Sequence, residues 1–183
     1  DDLLAKFPNF EDKWLRDKQP EVWVPAKFKG KPFNIFETGG TTGMPKQRIG
    51  WEDYKIDYSE FSDTLDDAAF PRDHYWLMVG PTGPRRLRLS IEHLANVRGC
   101  SCYFVDLDPR WVKRLISEKQ FDQAKAYMEH VVDQATTIMK NRSVSALFTT
   151  PKLLESIAER YENEGSSLYD AGIRGVFCGG TTM

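Results

Sequence analysis

Apolar residues in this chain fall into two kinds of run. His74 to Gly80 (HYWLMVG), Cys102 to Val105, Ser143 to Phe148 and Ile173 to Cys178 are short and nearly continuous and read as strands, the first and last of them as buried ones. Between them the apolar residues recur at three and four. Trp51 to Leu65 carries Trp51, Tyr54, Tyr58, Phe61 and Leu65 at helical spacing. Ser90 is placed to cap a helix through Arg98, with Gly99 as its stop. Asp108 followed by Pro109 makes a cap and first-turn pair for a helix through Ile116. A longer helix follows, with Phe121, Ala124, Tyr127, Val131, Ala135 and Ile138 on one face. Thr150-Pro151 starts another, through Tyr161. Strands alternating with helices of this length predict a doubly wound α/β architecture with a largely parallel sheet and flanking helices. The first thirty residues differ. Phe7, Phe10, Trp14 and Trp23 recur there among lysines and acids, which predicts a helix within an irregular lead-in.

After that lead-in, Pro32 to Phe36 reads as a buried strand running into the loop Glu37 to Lys46, ETGGTTGMPK. Gly39, Gly40 and Gly43 permit backbone conformations that a Cβ would obstruct, so successive N–H groups can converge on an anion. Thr38, Thr41 and Thr42 add hydroxyl donors, and Lys46 adds a positive charge. Loops that leave strand ends in open α/β sheets are where nucleotides bind. The Walker spacing is excluded: Met44 and Pro45 separate Gly43 from Lys46, and Gln47 stands where a magnesium-binding hydroxyl would be required. The dinucleotide pattern G-x-G-x-x-G is excluded by the glycine spacing. What remains is [ST]-[STG]-G-[ST]-T-G-x-P-K, matched at every defined position from Thr38 to Lys46.

On these residues the chain resembles the adenylate-forming (AMP-binding) enzymes: acyl-CoA synthetases, adenylation domains and luciferases. Gly172 to Thr182, a short strand ending at Gly179-Gly180-Thr181, resembles the element beside the family's adenine and acyl pockets. Thr149 to Arg160 resembles the strand-to-helix crossing before it. The resemblance implies ATP-dependent activation of a carboxylic acid to an acyl adenylate with release of pyrophosphate. Transfer then follows to a thiol, from coenzyme A or a carrier-protein phosphopantetheine arm. It also implies that Thr38, Thr41, Thr42 and Lys46 hold the pyrophosphate together with Mg2+, Lys46 acting by charge stabilisation. Gly39, Gly40 and Gly43 give that group access, and Gly179, Gly180 and Thr181 wall the adenine and acyl pocket. The ETGGTTG loop and the Gly-Pro-Thr-Gly-Pro turn after Val79 lean towards the phenylacetate–CoA ligase-like branch and an aryl or arylacetic acid, with amino-acid activation left open. The family's aromatic-Gly-x-Thr-Glu segment, ribose-binding aspartate and late catalytic lysine are not among these residues. The expectation is therefore a partial N-terminal domain: a lead-in at 1–30, an α/β core at 31–183 with the phosphate loop at 37–46, and no C-terminal domain. Such a piece is expected to be inactive alone. The rival reading is a non-catalytic nucleotide- or phosphate-binding module.

Composition narrows the picture slightly. With 183 residues, 40% hydrophobic and 13% aromatic, the chain can bury a core. A net charge of −2 gives no electrostatic ground for nucleic acid or an anionic membrane as partner, and no run is long enough to span a bilayer. Cys100, Cys102 and Cys178 lack the spacing of a zinc site and point to a reducing, cytoplasmic setting, with Cys102 and Cys178 read as core residues. Asp106 and Asp108 are read as a turn residue and a cap rather than as metal ligands, and no metal site is assigned. Arg85, Arg86 and Arg88 are read as a solvated turn face that could line the acyl or phosphate pocket. His74, His93 and His130 pair with no nucleophile motif, so a hydrolase triad is unsupported.

Overall fold

A computed structural model describes Lys6, Glu11 and residues 13–38, 44–83 and 86–179. The chain divides into two compact units, Asp1–Trp51 and Glu52–Met183. In the first, helix α1 (Trp14–Asp17) and 3-10 turns at Pro20–Trp23 and Ala26–Phe28 precede a hairpin of β1 (Asn34–Glu37) and β2 (Gln47–Gly50). Their antiparallel register sets Asn34 opposite Gly50 and Glu37 opposite Gln47. Aromatic residues of this unit pair with one another: Trp14 stacks on Trp23 at 6.4 Å, and Phe28 on Trp51, just after β2, at 4.2 Å. The strand expected at Pro32 to Phe36 is thus corrected. It begins after Pro32, which has no N–H to give a ladder, and Ile35 is exposed rather than buried. It belongs to a separate two-stranded sheet through its antiparallel pairing with β2, and β2 is too short and mixed to announce itself by periodicity.

The second unit carries four parallel strands: β3 (Tyr75–Gly80), β4 (Ser101–Asp106), β5 (Val144–Thr149) and β6 (Gly175–Cys178), in the order β4-β3-β5-β6. Strand geometry sends alternate side chains to opposite faces, so an apolar strand feeds two cores at once. Trp76 and Met78 of β3 pack with Phe148 and with Ile91, Leu94 and Ala95 of α3 (Arg86–Val97). Tyr58 and Phe61 of α2 (Asp53–Ser62) cover that side. Leu77 and Val79 point the other way, against Val112 of α4 (Pro109–Ser117), Val131 and Ala135 of α5 (Phe121–Asn141), and Leu153 and Ile157 of α6 (Pro151–Asn163). Helices lie on both faces, which is the doubly wound arrangement expected.

The helix signals held where the chemistry was local. Asp108 caps α4, its Oδ1 accepting from the Arg110 N–H at 2.9 Å, and Tyr127 Oη accepts from the Asp108 N–H at 3.0 Å. Gly99 ends the α3 turn at φ 73°. Ser90 is not a cap. The helix-favouring Arg86-Leu87-Arg88-Leu89 run extends α3 backwards, and the buried Ser90 hydroxyl instead donates to the Arg86 carbonyl at 3.1 Å. Phe121 sits at the first position of α5 and is exposed, off the apolar face. Cys178, expected in the core, is exposed at the end of β6, whereas Cys100 is buried.

One buried charge organises the amino end of the sheet. Arg98, whose side chain is fully buried, donates to the Ser62 carbonyl at 2.9 Å, to the Phe70 carbonyl at 2.6 Å and to the Asp67 carboxylate. This ties the segment after α2 to the end of α3. The same segment presses on β6, where a Cβ at Gly175 would run into the Ala69 carbonyl and the Phe70 ring.

Candidate functional site

The neck of the glycine-rich loop is closed by reciprocal hydrogen bonds. The Thr38 N–H donates to the Lys46 carbonyl at 3.1 Å, and the Lys46 N–H donates to Thr38 Oγ1 at 3.1 Å. Two of the predicted phosphate-loop residues are therefore brought together, one register step beyond the Glu37–Gln47 pair. Because Thr38 Oγ1 accepts in this arrangement, its own proton remains to be donated elsewhere. Gly39, Gly40, Thr41, Thr42 and Gly43 lie outside the described residues, as do Gly180 and Thr181.

Gly179 belongs to the other unit, where a second feature takes shape at the carboxyl ends of the strands. The chain leaves β3 through α3 to reach β4, then returns through α4 and α5 to β5 on the opposite side of β3. Connections diverge at this reversal and leave a crevice, the usual ligand position in such sheets. A cavity of about 250 Å3 occupies it. Met78, Val79, Gly80 and Pro81 line it from β3 and its turn, and Leu87 and Ile91 from α3. Phe148, Thr149 and Thr150 come from β5 and the residue beyond, with Phe177 and Gly179 from β6 and its end. The Phe148 and Phe177 rings lie 5.7 Å apart, tilted by 30°. No charged side chain is among these lining residues.

The turn after β3 is pinned at this end of the sheet. The Asp106 carboxylate, at the end of β4, accepts from both the N–H and the hydroxyl of Thr82 at 2.8 Å. Asp106 thus ends β4 and pins the neighbouring turn. Among the described residues no group of three or more His, Cys, Asp or Glu side chains is placed to hold a metal ion. The arginines serve structure. Arg86 donates to Asp53 and Asp57 of α2 at 2.8 Å each, and the Asp57 hydrogen bond, with the charges of both aspartates, raises its pKa further. Arg88 lies over the Phe104 ring at 5.0 Å. Neither lines the cavity, and Arg85 is outside the described residues. His93 bridges helices, its Nε2 lying 3.0 Å from both Ser59 Oγ and the Lys55 carbonyl.

Sequence reasoning passed over two side chains here. The hydroxyls of Thr149 and Thr150 are buried and have no hydrogen-bond partner among the described residues. Thr150 occupies the N-cap position of α6, yet its side chain makes no capping bond. The available signal was the Thr-Thr-Pro string at a strand end, where a cap accounts for one hydroxyl and leaves the other without a task.

No family model matches the sequence, and no curated protein matches it. Among solved structures the chain is similar in fold to 2-hydroxyisobutyryl-CoA ligase in its postadenylation state, with R3-HIB-AMP bound. The TM-score is 0.53 at 12% identity, covering 87% of this chain and 28% of that one. The fold predicted from the sequence is the fold observed. ATP-bound MatB from Rhodopseudomonas palustris, and the RpMatB-BxBclM chimera B3, follow at 16% identity and a TM-score of 0.44, each covering 80% of this chain and 24% of theirs. This chain therefore spans little more than a quarter of the length of the ligase it resembles.

Proposed function

We propose that the protein to which these residues belong activates a carboxylic acid with ATP, releasing pyrophosphate, and passes the acyl group to a thiol. The observation that carries the reading is the loop itself. Nine positions from Thr38 to Lys46 fit one phosphate-loop pattern, and the first and last of them, Thr38 and Lys46, hydrogen-bond to each other. A fold shared with part of an acyl-CoA ligase supports it.

In this reading a carboxylate oxygen attacks the α-phosphorus and the bond to the bridging oxygen breaks, so pyrophosphate leaves with the bonding pair. An anion attacking a polyanion needs the charge on the leaving group to be neutralised and fixed in place. Lys46 supplies a cation, Thr38, Thr41 and Thr42 supply hydroxyl donors, and Gly39, Gly40 and Gly43 let backbone N–H groups approach. Magnesium arrives with the triphosphate. Gly179, Gly180 and Thr181 border the pocket for the adenine and the acid. Coenzyme A or a phosphopantetheine arm takes the acyl group, the substrate is an aryl or arylacetic acid as in phenylacetate–CoA ligase-like enzymes, and the compartment is the cytoplasm. Residues 1–183 would form part of the N-terminal domain.

ATP–pyrophosphate exchange on the full-length protein with aryl and aliphatic acids tests this. Acid-dependent exchange, lost on Lys46→Ala, is expected; ATP binding without exchange for any acid would replace it with a non-catalytic nucleotide-binding module. The 183 residues alone should release no pyrophosphate.

A further inference from the structure

We infer that the cavity at the carboxyl ends of β3, β5 and β6 selects a small monocarboxylic acid with an uncharged, single-ring body, and that Thr150 reads a hydrogen-bonding substituent on it. The inference rests on the adenylation reading for the reaction and on the cavity alone for the choice of acid. It decides against both amino acids and dicarboxylates.

Charge comes first. An amino acid brings an ammonium group and a dicarboxylate a second anion, and either needs a partner of opposite sign when it leaves water. The described walls are Met78, Leu87, Ile91, Phe148 and Phe177 with glycine, proline and threonine, and none is charged. Of the described arginines in α3, Arg86 is engaged with Asp53 and Asp57 and Arg88 lies over Phe104, and neither lines the cavity. Size comes second. About 250 Å3 lies below the range of roughly 300–1,000 Å3 that holds drug-sized ligands, which suits one ring and excludes a long acyl chain. The tilted pair of Phe148 and Phe177 offers an aromatic wall to that ring.

Thr150 supplies the polar mark. Its backbone is extended (φ −99°, ψ 157°), so it continues the alternation of β5. That alternation sets Thr150 on the same face as Phe148, the α3 face on which Leu87 and Ile91 also lie. Thr149 takes the opposite face. A threonine in an N-cap position ordinarily turns its oxygen back to the helix N–H groups; this one does not, and its hydroxyl is buried without a partner. Native proteins rarely keep such a group unless something outside the chain satisfies it.

Two measurements on the full-length protein separate this inference from the reaction it assumes. Binding of benzoate, the three hydroxybenzoates, phenylacetate, phenylalanine, malonate and palmitate is followed by ligand-observed NMR, and ATP–pyrophosphate exchange is run on the same panel. One-ring acids should bind and exchange; phenylalanine, malonate and palmitate should do neither. Leu87→Trp, at a half-exposed position that tolerates bulk, should block the one-ring acids. Thr150→Val should weaken one hydroxybenzoate about tenfold more than it weakens benzoate, the loss of one buried hydrogen bond. The same variant should melt no lower than the parent, because it removes an unpartnered hydroxyl. Binding of one-ring acids without exchange would retain the inference and remove the adenylation reading. Preference for phenylalanine, malonate or palmitate would overturn the inference and leave that reading intact, and no binding of any one-ring acid would overturn it as well. A lowered melting temperature, or equal loss for benzoate and every hydroxybenzoate, would show Thr150 to be structural and overturn its role.

Discussion

The two ends of the parallel sheet carry depressions of opposite character. At the amino end a groove of about 770 Å3 is lined by Asp67, His74, Lys140, Arg142, Asp170 and Arg174 among others. It is the larger of the two, and most of its charges already have partners within the chain. Lys140 pairs with Glu164 at 2.6 Å, Asp170 accepts from Ser167 at 2.7 Å, and Arg174 donates to the Tyr169 carbonyl at 2.8 Å while lying over its ring. Asp67 is held by Arg98 and Arg72. At the carboxyl end the cavity is a third of that volume and apolar, and its wall residues include two hydroxyls that nothing in the described chain satisfies. Buried atoms without a partner occur at both ends, Arg98 Nε at the amino end and the Thr149 and Thr150 hydroxyls at the other, but only the two hydroxyls belong to residues that line a cavity. A ligand in that cavity is what would satisfy them.

The comparison is broken most forcefully at Arg98. Arg98→Met leaves the Ser62 and Phe70 carbonyls without their donor in a buried setting, and urea unfolding should show a loss of about 2–4 kcal/mol. The order of acid preference in the surviving folded protein should not change, because the amino end holds structure only. A smaller effect is expected at the turn beside the cavity. Asp106→Ala removes both bonds to Thr82 at an exposed site, costing about 1 kcal/mol. Here the preference should respond: KM for the acid rises several-fold with kcat less affected, since Pro81 lines the cavity from the turn that Asp106 pins. An unchanged KM would mean the turn sets nothing about the site.

The smallest effect is one of pH. Hydrogen bonds from Arg98, then from Arg72, hold the Asp67 carboxyl below its ordinary range. A carboxyl with a lower pKa folded than unfolded stabilises the fold above its unfolded value and loses that contribution as pH falls through the folded one. Acid melts should therefore show stability declining below about pH 4, with a shallower decline in Asp67→Asn. The carboxyl-end cavity, which has no titrating side chain among its described walls, should add nothing to this slope. A decline of equal steepness in Asp67→Asn would show that other carboxylates govern acid unfolding.

Much of the molecule was legible because its signals are local. The run HYWLMVG yields a strand from Tyr75 to Gly80, buried from Trp76 onward for the same reason that it reads as a strand, since these residues can face helices on either side. Asp108-Pro109 caps because the cap needs only its own next two residues. The pattern at Thr38 to Lys46 is readable because its glycines, hydroxyls and lysine fall at fixed steps along one short segment. What the sequence by itself determined was thus the doubly wound class and the order of the elements in the parallel unit. Partners distant in sequence were decided only by the tertiary structure. Gln47–Gly50 became a strand by pairing with Asn34–Glu37, and Ser90 lost its cap to an extended helix. Arg98 found three partners at separations of 28 to 36 residues. The cavity depends on the same distance: β3, β5 and β6 meet there only after the chain has reversed direction across the sheet, so no stretch of sequence contains it. Thr150 becomes notable there because its hydroxyl is buried at the cavity without a partner and does not cap its own helix, and that is a property of packing rather than of composition.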